Sequence, residues 1–150
     1  MAYKGKFKPS NPSKYRGDPT KIIYRSLWER KFMVYCDNNK NILEWASEEI
    51  IIPYKDPTSG KNRSYYPDFW VKYIDNDGKK NIRLIEVKPK KQLREPDQSK
   101  KYNTPTGRLS TKYVKEVKTY AINQAKFKAA KEYCDDRRWS WQILTEDHLT

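Results

Sequence analysis

Tyr66-Pro67-Asp68-Phe69 and, eighteen residues after the aspartate, Glu86-Val87-Lys88 are the stretches on which the reading of this chain turns. Residues 64–74 around the first are aromatic and alternating, the pattern of a strand with one buried face. Asp75-Asn76-Asp77-Gly78 has the composition of a tight hairpin turn. Residues 81–88 return as a second strand, which Pro89 stops. Residues two apart on a strand share a face, so Glu86 and Lys88 project with Ile82 and Leu84. Pairing about Asn76 and Asp77 makes the two strands antiparallel neighbours and sets Glu86 opposite the 65–68 stretch. The carboxylates of Asp68 and Glu86 are therefore expected to meet near one end of a sheet.

On the N-terminal side, Ser26 followed three residues later by Glu29 predicts a capped helix over 26–38, with Trp28, Phe32 and Tyr35 as its apolar face. Residues 41–46 and 49–54 read as strands, Pro53 placing the second near its end or at an edge. Asp56-Pro57-Thr58-Ser59-Gly60 is a turn. Residues 89–111 are polar, cationic and broken by Pro and Gly, which predicts a long loop of the kind that often binds. Val117, Ala121 and Ala125 at four-residue spacing predict a helix over 112–135, and 139–144 a last strand. The expected class is α/β, a mixed β-sheet flanked by α-helices. Residues 1–20 contain Pro9, Pro12, Pro19, Gly5, Gly17 and several Lys. They read as an extended basic arm able to track a phosphate backbone, leaving 21–150 as a single domain.

Composition narrows the partners. The 150 residues suit one domain, and although only 36% are apolar, 5 Trp, 12 Tyr and 4 Phe supply area for a modest core. Trp28, Phe32, Tyr66, Trp70 and Trp141 are its expected members. Lys plus Arg number 32 against 19 Asp plus Glu, a net charge of +13 that points first to nucleic acid. A membrane partner is not expected: there is no apolar run of spanning length, no basic helix with a clean apolar face and no secretory-signal pattern. Residues 79–101 carry nine cations and three acids, and Lys90, Lys91, Arg94, Lys100 and Lys101 are the expected DNA contacts. Cys36 and Cys134 are too few for a zinc cluster and are expected to be reduced and inert. The single histidine, His148, is expected to be solvated, and mechanisms that need a central histidine are excluded.

Two adjacent carboxylates repel, and both stay charged only beside a cation. A hard divalent ion such as Mg²⁺ takes a few carboxylates together with water and a phosphate oxygen. It then polarises the scissile phosphate and acidifies a water, while a nearby Lys orients that water or offsets developing charge. Pro67-Asp68 followed by Glu86-Val87-Lys88, in this order of helices and strands, resembles the PD-(D/E)xK nuclease superfamily and its restriction-endonuclease-like fold. Glu in place of Asp at the second acid is a usual variant. More narrowly, YRSLWERKF (24–32), YYPDFWV (65–71), LIEVKPKKQ (84–92) and QAKFKAA (124–130) are similar to the head-completion nucleases of large tailed bacteriophages. That likeness covers nearly the whole chain. A likeness to the endonuclease subunit of a heteromeric bacterial transposase covers residues 24–144.

The resemblance implies an endodeoxyribonuclease using Mg²⁺ or Mn²⁺. Asp68 and Glu86 would be metal ligands, Lys88 the catalytic lysine and Glu29 a helix-borne acid near the metal, with Gln124 and Lys128 as supporting polar residues. Glu29 has a second reading, as the returning half of a capping box with Ser26, which competes with a metal role if the carboxylate turns back. The implied setting is processing of the packaged DNA end during phage head completion. The implied partners are DNA and portal or neck proteins, in the host cytoplasm during assembly or within the virion. Two other readings stand beside it: a non-catalytic DNA-binding head or neck protein, and a nuclease subunit of a transposition or repair complex.

Overall fold

The computed structural model describes residues 4–149. The elements in chain order are β1 (Gly5–Lys6), β2 (Ile23–Tyr24), α1 (Leu27–Asn38), β3 (Ile42–Ser47), β4 (Ile52–Lys55), β5 (Asn62–Tyr65), β6 (Phe69–Ile74), β7 (Lys80–Val87), α2 (Thr111–Arg137), β8 (Ser140–Leu144) and α3 (Glu146–Leu149). The central sheet has the spatial order β3-β6-β7-β8, antiparallel except that β8 runs parallel to β7. The α/β class with a mixed sheet between helices is the one expected, consistent with a restriction-endonuclease-like fold. Among the described residues no helix is long and apolar enough to cross a membrane.

Strand alternation builds two cores. Phe69, Val71, Ile85 and Leu144 face Phe32, Met33 and Cys36 of α1. Trp70 and Leu84 face the other way, onto Ala130 and Cys134 of α2 and onto Ile52, Tyr54 and Tyr65. Both cysteines are free and buried, and burial raises their thiols, Cys134 to about 11. Ser26 and Ser110 cap the two long helices by accepting the backbone N–H three residues on, at 3.1 and 3.2 Å.

Several expectations need correction. Tyr35 and Val117 are exposed: α1 buries Phe32, Met33 and Cys36, and α2 buries the line Asn123, Phe127, Ala130 and Cys134. The single strand expected over 64–74 is two, because Pro67 lacks an N–H and cannot continue a ladder. The break leaves Tyr66 47% exposed, outside the core expected for it. It also frees β5 to pair with β4 as a separate hairpin. Asp56 closes that hairpin by accepting from Thr58 N–H at 2.8 Å and Arg63 Nε at 2.9 Å. The 89–111 loop contains short 3₁₀ turns at Lys90–Leu93 and Gln98–Lys100. After β8 comes an unanticipated turn of helix, α3, and Thr145 just before it donates its N–H to His148 Nδ1 at 3.0 Å.

The expected basic arm is docked rather than free; its residues 1–3 lie outside the described residues. β1 pairs with β2, and Phe7 and Tyr15 are buried in the α1-side core. Ser10 and Asn11 donate their N–H groups to the Asp37 carboxylate at 2.7 and 3.0 Å. Lys14 Nζ donates to the carbonyls of Cys36 and Asn39 at 2.7 and 2.8 Å. This is a cation on the open C-terminal carbonyls of α1, where the helix dipole favours it. Asp37→Ala would strand two N–H donors. It is expected to cost about 2–4 kcal/mol and to lower the thermal midpoint by about 5–10 °C, read by calorimetry.

Candidate active site

The β6–β7 register pairs Phe69 with Ile85 and Trp70 with Leu84. One step further sets Asp68 opposite Glu86, at the end of the sheet the turn chemistry predicts. Pro67 ends the preceding strand pairing, so Asp68 arrives at the head of β6 with its carbonyl accepting Glu48 N–H at 3.1 Å. Its Oδ2 accepts Val87 N–H at 2.7 Å. Oδ1 has no hydrogen-bond partner among the described residues. Glu86 is buried, 5% exposed, and its Oε1 accepts the Tyr65 hydroxyl at 2.7 Å. Lys88 Nζ lies 3.6 Å from Glu86 Oε2, on the face that strand alternation assigns to both. The Lys88 backbone N–H donates to Leu144 O at 3.0 Å, which fixes its root on β8.

Electrostatics follow from this burial. The Asp68 carboxyl is held well above the usual range, first by burial, then by the charge of Glu86 and, more weakly, of Glu29. Val87 N–H and Lys88 oppose the shift without cancelling it. The Tyr65 phenol is raised by burial and by Glu86, so it remains a neutral donor to that carboxylate.

Glu29 stands beside this pair rather than within it. Its backbone N–H is capped by Ser26, and its carboxylate leans back toward Arg25 N–H and Ser26 Oγ at 3.4 and 3.5 Å. Burial raises its carboxyl, helped by Glu48. Among the described residues no three His, Cys, Asp or Glu side chains converge as a ready-made metal cage. Asp68, Glu86 and Glu29 are thus not preassembled as three ligands, because the helix cap restrains the third. The Asp68–Glu86 pair still has the donor chemistry of a hard divalent cation site: a buried and a half-buried carboxylate, one oxygen free, and a repulsion that a dication relieves.

Gln124 and Lys128 are exposed, off the buried line of α2, and the helical period turns them away from the residues that pack on the sheet. Lys126 instead lies over the Tyr65 ring at 5.6 Å and the Tyr54 ring at 5.9 Å. Lys91, Arg94 and Lys100 line a cleft against α2. Lys101 lies against the Tyr102 ring at 5.5 Å. Lys90 is bound to α3, its Nζ 2.5 Å from Asp147 and its N–H donating to Glu146, so its charge is partly consumed within the fold.

The residues that sequence reasoning missed are Tyr65, Arg25 and Glu48. Arg25 pairs with the carboxylate of Glu48, whose backbone is left-handed at φ 55° where it meets Asp68. Such a conformation in a non-glycine residue costs energy and persists where the surroundings enforce it. No local pattern marks Glu48. Tyr65 sits in the alternating stretch, but its reach to Glu86 needs the chain break at Pro67.

Asp68→Asn keeps an acceptor for Val87 N–H and removes the charge. A carboxyl raised in the folded state binds a proton the unfolded chain has lost, so metal-free stability falls as pH rises from about 4 through the raised pKa. The variant is therefore expected to melt higher than the parent in EDTA at pH 8, with the gap closing toward pH 4 in a calorimetric series. Tyr65→Phe deprives a buried Glu86 oxygen of its donor. It is expected to cost about 1–3 kcal/mol, read by calorimetry.

The family model described as TnsA-like endonuclease N terminal matches residues 39–146, which include Asp68, Glu86 and Lys88 and leave out α1 with Glu29. The chain is also 42% identical over 149 residues to the head completion nuclease of Enterobacteria phage T4, covering 99% of this chain and 95% of that protein. An endonuclease family signature over the strands that carry the paired carboxylates, and a nuclease relative aligned along nearly the full length, place the chain in the TnsA-like N-terminal endonuclease family.

Proposed function

We propose that this endonuclease hydrolyses phosphodiester bonds of DNA in a metal-dependent reaction during phage head completion, after the genome is packaged. One observation carries the reading. The Asp68–Glu86 pair with Lys88 on its face lies inside a chain that aligns from end to end with a phage head completion nuclease. The transposase-subunit reading draws on the family match over 39–146, whereas the phage likeness also takes in α1 and the docked N-terminal segment. A non-catalytic plug would have no need of two poorly solvated carboxylates held in mutual repulsion.

Each residue has a role in such a reaction. Asp68 Oδ1 and the Glu86 carboxylate would hold Mg²⁺ or Mn²⁺, which supplies Lewis-acid polarisation of the phosphate and a more acidic attacking water. Val87 N–H orients Asp68, and the Tyr65 hydroxyl orients Glu86. Lys88 Nζ, 3.6 Å from Glu86 Oε2, would donate to the attacking water or to the oxygens that gain charge in the transition state. Glu29 and the Arg25–Glu48 pair set the field at the edge of the site, Glu29 acting on Asp68 through its charge. The expected products are 5′-phosphate and 3′-hydroxyl ends. The proposed partners beyond DNA are portal or neck proteins, and the proposed place of action is the host cytoplasm during assembly, or the virion itself.

Supercoiled, linear and branched DNA incubated with Mg²⁺ or EDTA tests the reading. Wild type is expected to nick or cut in Mg²⁺ alone, and Glu86→Ala to lose at least about a hundredfold in rate while keeping its fold and DNA affinity. Retained cleavage by Glu86→Ala would sink the site assignment.

A further inference from the structure

We propose that the cleft between residues 91–100 and the first half of α2 is a subsite for one unpaired nucleotide, so that the enzyme favours duplex DNA bearing a single-stranded tail. The inference rests on reading the Asp68–Glu86 centre as the DNA-cleaving site. The cleft encloses about 670 Å³, with Lys91, Arg94, Lys100 and Lys115 around it and Tyr120 and Asn123 on the helix side. That volume is of the order of a small-ligand pocket, about 300–1,000 Å³. Duplexes are read by elements that protrude into their grooves, whereas a concave site takes a base out of the stack.

Asn123 supplies the second, independent sign. It is 5% exposed, yet its amide has no hydrogen-bond partner among the described residues. Trp45 Nε1 is the one fully buried side-chain polar atom left unpaired among the described residues, so the Asn123 amide is open at the cleft, where a ligand can reach it. An amide offers both donor and acceptor, the combination that the edge of a base requires. Tyr120, three residues earlier on the same side of the helix, offers an aromatic face for stacking.

Charge at the cleft is suited to phosphates. Lys91, Arg94, Lys100 and Lys115 have no ion-pair partner among the described residues. Of the three acids there, Asp97 accepts from Ser99 N–H at 3.0 Å and Glu116 faces Lys112 at 4.0 Å, which leaves Glu95 alone uncommitted. The helix that lines the cleft also reaches the carboxylate pair. Lys126, one turn beyond Asn123, covers the Tyr65 ring at 5.6 Å, and Tyr65 holds Glu86 at 2.7 Å.

Fluorescence anisotropy on the full chain, with Ca²⁺ replacing Mg²⁺, would compare a blunt duplex with the same duplex carrying a single-stranded tail. Wild type is expected to bind the tailed form about tenfold more tightly. Tyr120→Ala and Asn123→Ala are expected to abolish that preference while leaving blunt-duplex affinity within about twofold. Asn123→Leu should lose the preference as well, with an unchanged or higher thermal midpoint, which separates lost binding from lost folding. Equal wild-type affinity for both forms, or variants that weaken both alike, would overturn the subsite. Absence of Mg²⁺-dependent cleavage with the tail preference intact would overturn the endonuclease reading and leave the subsite standing.

Discussion

Two carboxylates, Asp68 and Glu86, are held against each other in a poorly solvated corner of the sheet, and the surrounding structure is arranged to keep them there. The β6–β7 register brings them opposite, Val87 N–H pins one, and the Tyr65 hydroxyl pins the other. Burial and mutual repulsion lift the Asp68 carboxyl, which is the electrostatic signature of a site that gains from a cation. Lys88 answers only part of that charge from 3.6 Å. The resulting imbalance is a cost to folding, and the two hydrophobic cores on either side of the sheet offset it.

The excess of positive charge gains a structure from the same arrangement. Part of it is internal. Lys14 closes the C-terminal carbonyls of α1, Lys90 is paired to α3, and Arg25 answers Glu48. Lys91, Arg94, Lys100 and Lys115, by contrast, have no ion-pair partner among the described residues and line a cleft against the first half of α2. A +13 chain thus presents a small anionic centre within a cationic surface, which lets a polyanion approach.

The legible parts of this protein were those set by local rules. The Asp75–Gly78 turn sets a two-strand register, so Glu86 could be placed opposite the 65–68 stretch, and the structure's register then sets it opposite Asp68. Ser26 and the cationic loop were equally readable, since capping and composition act within a few residues. Glu29 was readable only as two competing roles. In the structure its carboxylate leans to the cap while its charge still reaches Asp68, because a capping box and the head of β6 happen to adjoin.

Sequence alone determined the α/β order, the hairpin, the pairing of the two acids and the lysine on their face. Each follows from spacing along a strand or from turn chemistry. Tertiary structure decided the remainder. It docked the basic N-terminal segment on the core through Phe7, Tyr15 and Lys14, because their partners lie on α1 and β3. It brought Tyr65 to Glu86 across the break at Pro67 and Arg25 to Glu48 across 23 residues. It also turned Asn123, rather than Gln124, inward, since the phase of a helix on a sheet is set by how Phe127, Ala130 and Cys134 pack. Contacts between residues distant in sequence depend on the three-dimensional path of the whole chain, which no local pattern encodes.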